Sequence, residues 1–122
     1  MIAELVRSYR FDAAHHLPGL PASHKCSRVH GHGYTLEVRV RGPVGEETGW
    51  VMDYAAIDRA AEPLVAALDH RDLNGVEGLE NPTSERLAAW IWTRLAPDLP
   101  GLVEVVVAET PQARCVYRGE GA

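Results

Sequence analysis

The sequence predicts an α+β fold: a four-stranded antiparallel sheet with two helices on one face, in the order β-β-α-α-β-β. Three observations carry this expectation. Residues 4–14 and 30–42 alternate apolar and polar side chains, as half-buried strands do. Two later stretches, opening at Asp53 and at Asn81-Pro82, space their apolar residues for one helix face. Residues 102–108 are Val-rich and apolar on both sides, as a central strand is. The 122 residues fit a single domain, 1–122.

Taken in order, the first strand sets Leu5, Tyr9, Phe11 and Ala13 against Glu4, Ser8, Arg10 and Asp12, with Arg7 out of pattern. It delivers His15-His16 at its end. Residues 17–25, with Pro18, Gly19, Pro21 and Ser23, form a loop. The second strand sets Tyr34, Leu36, Val38 and Val40 against Thr35, Glu37, Arg39 and Arg41. Gly42-Pro43 and residues 45–49 turn the chain, and Trp50-Val51-Met52 reads as a short strand end. Asp53 caps the first helix with its carboxylate. Tyr54, Ile57, Ala61, Leu64, Val65 and Leu68 form its apolar face, and Pro63 kinks it. The helix ends near Leu68-Asp69-His70, and Asn74-Gly75 and Gly78 mark a loop. The second helix starts with Asn81 or Thr83 as cap, Pro82 near the first turn and Glu85 near the positive dipole end. Leu87, Ile91 and Leu95 make its stripe until Pro97 and Pro100 stop it. The third core strand ends at Glu109, residues 110–113 turn, and 114–118 is a short last strand.

The net charge of −5 argues against a nucleic-acid partner. No apolar run approaches the roughly 20 residues that span a membrane. The N-terminus, with Glu4 and no long apolar core, is not that of a signal peptide. Two cysteines without an export signal point to free thiols in a reducing compartment, hence a cytoplasmic location. A small open sheet leaves two exposed edges, and edge pairing between copies into a closed barrel is the economical way to cover them.

The chemistry gathers at Cys26-Ser27-Arg28-Val29-His30-Gly31-His32. An isolated H-x-H pair is often just a surface pair. Here a cysteine stands four residues before His30, and His15-His16 sit one loop upstream. If the strand already runs through His30 and His32, both rings point to one face. Two imidazoles on one face can close on one ion, and a catalytic zinc takes three protein ligands and keeps one open position. The third ligand would be His15 or His16. Cys26 lies beside Lys25 and Arg28, whose charge would lower a thiol pKa; these cations read equally as a solvated basic patch. Asp69-His70 sits at a helix C-terminus, as an oriented imidazole or one that merely satisfies carbonyls. Cys115, between Arg114 and Val116, reads as a small core residue.

Six stretches together resemble one family. They are Phe11-Asp12-Ala13-Ala14-His15; Cys26-x-x-x-His30-Gly31-His32; Gly49-Trp50-Val51-Met52-Asp53-Tyr54; Leu68-Asp69-His70-x-x-Leu73-Asn74; Asn81-Pro82-Thr83-Ser84-Glu85; and Glu109-Thr110. In this order and over nearly the whole chain, they resemble the 6-pyruvoyl-tetrahydropterin synthase family. The short Cys26-to-His30 gap resembles its bacterial, carboxytetrahydropterin-forming branch of queuosine biosynthesis. The resemblance implies the tunnelling fold (T-fold), a homohexamer built as a dimer of trimers, and zinc held by His15, His30 and His32, with no ligand role for His16. It implies Cys26 as general base, Asp69 and His70 as its relay, and Glu109 as anchor of the pterin ring and part of that relay, with Thr83 also at the substrate. The implied substrate is a small-molecule pterin, 7,8-dihydroneopterin triphosphate, cleaved to 6-carboxytetrahydropterin, acetaldehyde and triphosphate.

Overall fold

In a computed structural model that describes residues 1–121, the chain forms β1 (Ile2–His15), β2 (His30–Pro43), α1 (Tyr54–Leu68), β3 (Arg71–Asp72), α2 (Ser84–Leu95), β4 (Leu102–Thr110) and β5 (Ala113–Tyr117). The sheet order is β3-β1-β2-β4-β5. The β1–β2, β2–β4 and β4–β5 pairs are antiparallel, as expected. The sheet has five strands, not four. The additional one, β3, is two residues long and runs parallel to β1 at Ala13–Ala14. Two charged, exposed residues carry no periodicity, so nothing in the sequence announces this strand.

The pleat sorts the residues of β1 and β2. In β1 the odd positions from Ala3 to His15 turn inward, and in β2 the even positions from His30 to Val40 do. Helix α1 lies over β1, and α2 lies over β4 and β5. Between these layers Tyr34, Leu36, Val38, Ile57, Leu68, Leu87, Ile91, Leu95, Val105 and Val107 are all fully buried. Burial of this kind contributes about 25 cal/mol per Å² of apolar surface. Phe11 stacks on Tyr34 with ring centroids 5.0 Å apart. Arg7, the exception in the alternation, does face inward. Its guanidinium donates to both carboxylate oxygens of Asp58 on α1 at 2.8 and 2.9 Å, and Tyr9 donates to the same carboxylate at 2.6 Å. These donors hold the Asp58 carboxyl below the usual range.

The opposite face is charged. Glu104 accepts from Arg39 at 3.1 Å and pairs with Arg118 at 2.9 Å. Val106 is nevertheless 2% exposed on that face, so β4 is apolar on both sides over part of its length. Asp53 caps α1 by accepting from the Ala55 amide at 2.9 Å. Thr83, not Asn81, caps α2, accepting from Arg86 at 3.2 Å. Pro82 therefore precedes the cap instead of opening the first turn. Helix α1 continues through Pro63 as one element. Trp50-Val51-Met52 forms bends rather than strand, because its neighbour Gly49 takes φ +74° and turns the chain. With Met1, Leu5 and Tyr54 it lines a cavity of about 700 Å³ at the end of the β1–β2 pair away from the histidines.

Gly101 packs against β2, where a Cβ would stand 2.7 Å from the Arg41 carbonyl oxygen. Gly101→Ala is expected to cost roughly 1–3 kcal/mol, as overpacking does. Gly19→Ala, with nothing within 4 Å of its Cβ position, is the control. Equal denaturation midpoints for the two variants would contradict this packing.

Candidate active site

The site sits where the inward rows of β1 and β2 run out of apolar residues. His15 and His30 are direct partners across the two strands. His32, two residues along β2, lies on the same inward face. The ligand nitrogens of His15, His30 and His32 all lie within 4.8 Å of one another. Alternation selects His15 and turns His16 away. The His16 backbone is held by Asn74, which accepts from its amide and donates to its carbonyl, both at 2.9 Å. The His16 Nδ1 is buried without a partner.

Hydrogen bonds define what the rings can offer. His15, 1% exposed, donates from Nδ1 to the Pro82 carbonyl at 2.8 Å. The Tyr34 hydroxyl stands 3.3 Å from the same nitrogen. His30 donates from Nδ1 to the Arg28 carbonyl at 2.7 Å. A carbonyl only accepts, so in the neutral rings each Nδ1 carries the proton and each Nε2 presents a lone pair. Those two Nε2 atoms stand 3.1 Å apart. Nitrogens on one tetrahedral zinc, with bonds of about 2.0–2.1 Å, stand roughly 3.3 Å apart. The His32 Nε2 is buried without a hydrogen-bond partner. Burial holds the His32 pKa below its ordinary value, Glu109 opposes this, and His15 and His30 add to the lowering. Converging lone pairs with a neutral, unpartnered ring fit a cation between them, and the donor set can hold one metal ion.

Lys25, Cys26, His30, His32 and Glu109 line a cavity of about 390 Å³. The turn that carries Cys26 is tied by its backbone. The Cys26 amide donates to His24 Nδ1 at 3.1 Å, and its carbonyl accepts from Leu17 at 2.8 Å. Glu109 falls where the β4–β5 register shifts between Ala108 and Thr110. A bulge re-aims side chains, and here the carboxylate stands 3.7 Å from His32 Nε2. Ser84, in the first turn of α2, donates to the other Glu109 oxygen at 2.7 Å. Ser84 and the Pro82 carbonyl are contributions that the sequence reading missed; their only signal was their place beside Thr83. Thr83 uses its own hydroxyl to cap α2.

Asp69 and His70 are near each other, with Asp69 Oδ1 3.0 Å from His70 Nδ1. Their corner is latched to β1: the Asp12 amide donates to Asp69 at 2.9 Å, and the His70 amide donates to the Asp12 carbonyl at 2.6 Å. The Asp12 amide, and next the His70 ring, hold the Asp69 carboxyl below its usual range. His70 lines a different cavity, about 540 Å³, which it shares with His32, Asp12 and Gly31. Its side chain is 78% exposed. The structure therefore gathers Cys26, Glu109, His30 and His32 around one cavity, with His15 buried behind the two rings, and leaves Asp69-His70 outside it. Cys115 packs partly buried against the core, and burial pushes its thiol pKa up.

A family model described as 6-pyruvoyl tetrahydropterin synthase matches residues 4–120. The chain belongs to that family. Among its relatives, the 6-carboxy-5,6,7,8-tetrahydropterin synthase of Synechocystis sp. is 43% identical over 93% of this chain and 91% of its own. The dihydroneopterin monophosphate aldolase of Pyrococcus furiosus is 36% identical over 86% of this chain and 85% of its own. The solved structure of Caenorhabditis elegans 6-pyruvoyl tetrahydropterin synthase superposes with a TM-score of 0.91 at 29% identity, over 98% of this chain and 97% of that one. The tunnelling fold implied by the sequence motifs is the fold observed, and family membership makes the chain a pterin synthase or lyase. Named relatives of this family carry three different activities, so membership alone leaves the product open.

Proposed function

We propose that the chain is a zinc-dependent carbon–carbon lyase, a 6-carboxytetrahydropterin synthase of queuosine biosynthesis. It would convert 7,8-dihydroneopterin triphosphate to 6-carboxy-5,6,7,8-tetrahydropterin, acetaldehyde and triphosphate. The observation that carries this reading is the convergence of Cys26, Glu109 and two rings of the histidine cluster, His30 and His32, on one cavity. The carboxy-forming relative at 43% identity favours it over a pyruvoyl-forming synthase, as does the short Cys26-to-His30 spacing.

His15, His30 and His32 would hold the zinc, which when bound supplies a Lewis acid for the substrate side-chain oxygens. The remaining roles belong to the chain. Glu109, steadied by Ser84, accepts two parallel hydrogen bonds from the aminopyrimidine edge. Thr83, the α2 cap next to Ser84, would also stand at the substrate. Cys26 as thiolate takes a proton from a side-chain carbon and returns it to another. The Asp69 carboxylate orients His70, which relays that proton.

Assembly follows from the edges and from His70. Beyond β1 the sheet is covered over two residues only, and β5 is five residues long. A dimer of trimers would pair these edges and bring His70 of one copy to the Cys26 cavity of the next. No helix among the described residues is long and apolar enough to cross a membrane. Two free thiols suit a cytoplasmic location.

Three measurements test this. His30→Ala/His32→Ala should lose bound zinc in metal analysis; full occupancy would overturn the site. Cys26→Ala should keep its zinc and lose acetaldehyde production from 7,8-dihydroneopterin triphosphate by about 10²-fold or more. Cys115→Ala should stay near wild type; the reverse ranking would mean the thiol roles are exchanged, and no acetaldehyde from the wild type would reject the lyase. Co-assembly of Cys26→Ala with His70→Ala chains tests the shared site. If neighbouring copies supply the two residues, random mixing restores roughly a quarter of the activity. If one chain supplies both, mixing restores none.

A further inference from the structure

The lyase reading leaves the phosphate end of the substrate without a partner. Three groups of side chains could meet it. The Arg39–Glu104–Arg118 network on the helix-free face already has its charges paired. Arg28 gives its carbonyl to His30 but does not line the cavity. Lys25 does line it, and is the one cationic side chain among the five lining residues.

We infer that Lys25 is the residue that selects a phosphorylated substrate by pairing with its phosphate chain. This rests on the proposed function and extends it to a residue whose earlier reading concerned only the charge beside Cys26. The argument is electrostatic and positional. Glu109 puts a negative charge at one part of the cavity, which repels phosphate and suits the hydrogen-bond donors of a pterin ring. A phosphate chain must therefore lie away from Glu109 and needs a cation there. Lys25 is exposed at the cavity rim, where a leaving polyphosphate can pass to solvent. Among the described residues no carboxylate pairs with it, whereas Arg7, Arg39, Arg41 and Arg118 all have acidic partners. Its backbone is anchored: the Lys25 carbonyl accepts from the Arg28 amide at 3.2 Å, and the following residue is tied on both sides. The root of the side chain is held while four methylenes leave the ammonium free to follow a flexible phosphate chain. An ammonium is a point charge with rotatable donors, which suits an anion whose geometry changes as it departs.

The test uses the metal-loaded protein carrying Cys26→Ala, so that ligands bind without turning over. Pterin fluorescence reads the affinity for 7,8-dihydroneopterin triphosphate and for unphosphorylated 7,8-dihydroneopterin. Adding Lys25→Ala should weaken the triphosphate roughly tenfold to a hundredfold, the scale of one charge-assisted hydrogen bond. It should leave the unphosphorylated pterin unchanged, and Lys25→Arg should recover most of the difference. Equal weakening of both ligands, or no weakening of either, would overturn the inference. The lyase reading fails separately. Lys25-dependent triphosphate binding in a wild-type protein that releases no acetaldehyde would keep this inference and reject the lyase. Acetaldehyde release with Lys25-independent binding would do the opposite.

Discussion

The site depends on the register between β1 and β2. His15 faces His30 because Phe11 faces Tyr34 and Tyr9 faces Leu36 four and six residues earlier along the same ladder. A slip of one residue would turn His15 outward and bring His16 in, since side chains repeat every two residues. The apolar row therefore sets the histidine positions from a distance. The buried stack of Phe11 on Tyr34 fixes the last rung before the imidazole nitrogens begin. Core and site form one continuous inward face whose chemistry changes from carbon to nitrogen near residues 15 and 32.

That continuity explains what could be read in advance. Alternation located both long strands to within a residue or two at most of their ends, and it put His30 and His32 on one face. Read past Ala13, the same alternation picks His15 over His16, but only if the strand is known to persist that far. Strand ends are set by hydrogen bonds that local composition does not record. The rest was hidden for related reasons. β3 follows the 69–70 corner, which is latched to Asp12 twice: the Asp69 carboxylate accepts from the Asp12 amide, and the His70 amide donates to the Asp12 carbonyl, a backbone bond that any residue could supply. Glu109 owes its direction to a register shift, which no periodicity predicts. The Pro82 contribution is a carbonyl, present at every position of every sequence.

The turn before α2 shows how few residues orient the site. The Pro82 carbonyl fixes the tautomer of His15, and two residues later the Ser84 hydroxyl fixes one oxygen of Glu109. Between them Thr83 caps the helix. A shift of this turn would therefore disturb an imidazole of the cluster and a carboxylate together. The cap stabilises the helix by about 1 kcal/mol in general; here it also holds two functional groups at set positions. Outer partners of this kind orient metal-binding histidines and keep them basic.

His70 is held by its surroundings in the same way. It is the one non-glycine residue with positive φ, at 58°, among the described residues. That conformation is sparsely populated for such a side chain and persists where surrounding bonds enforce it. Here the enforcement is visible: its amide is bonded to Asp12 and its ring stands beside Asp69. The result is an imidazole held rigidly by its backbone and directed away from the core, 78% exposed. A surface histidine needs no such restraint. Cys26, by contrast, stands on the other cavity, and His32 is the residue that borders both. The chain thus carries a thiol facing inward at one cavity and a fixed imidazole facing outward at another. In the proposed assembly, the outward group of one copy would meet the cavity of the next, and both restraints would then have a use.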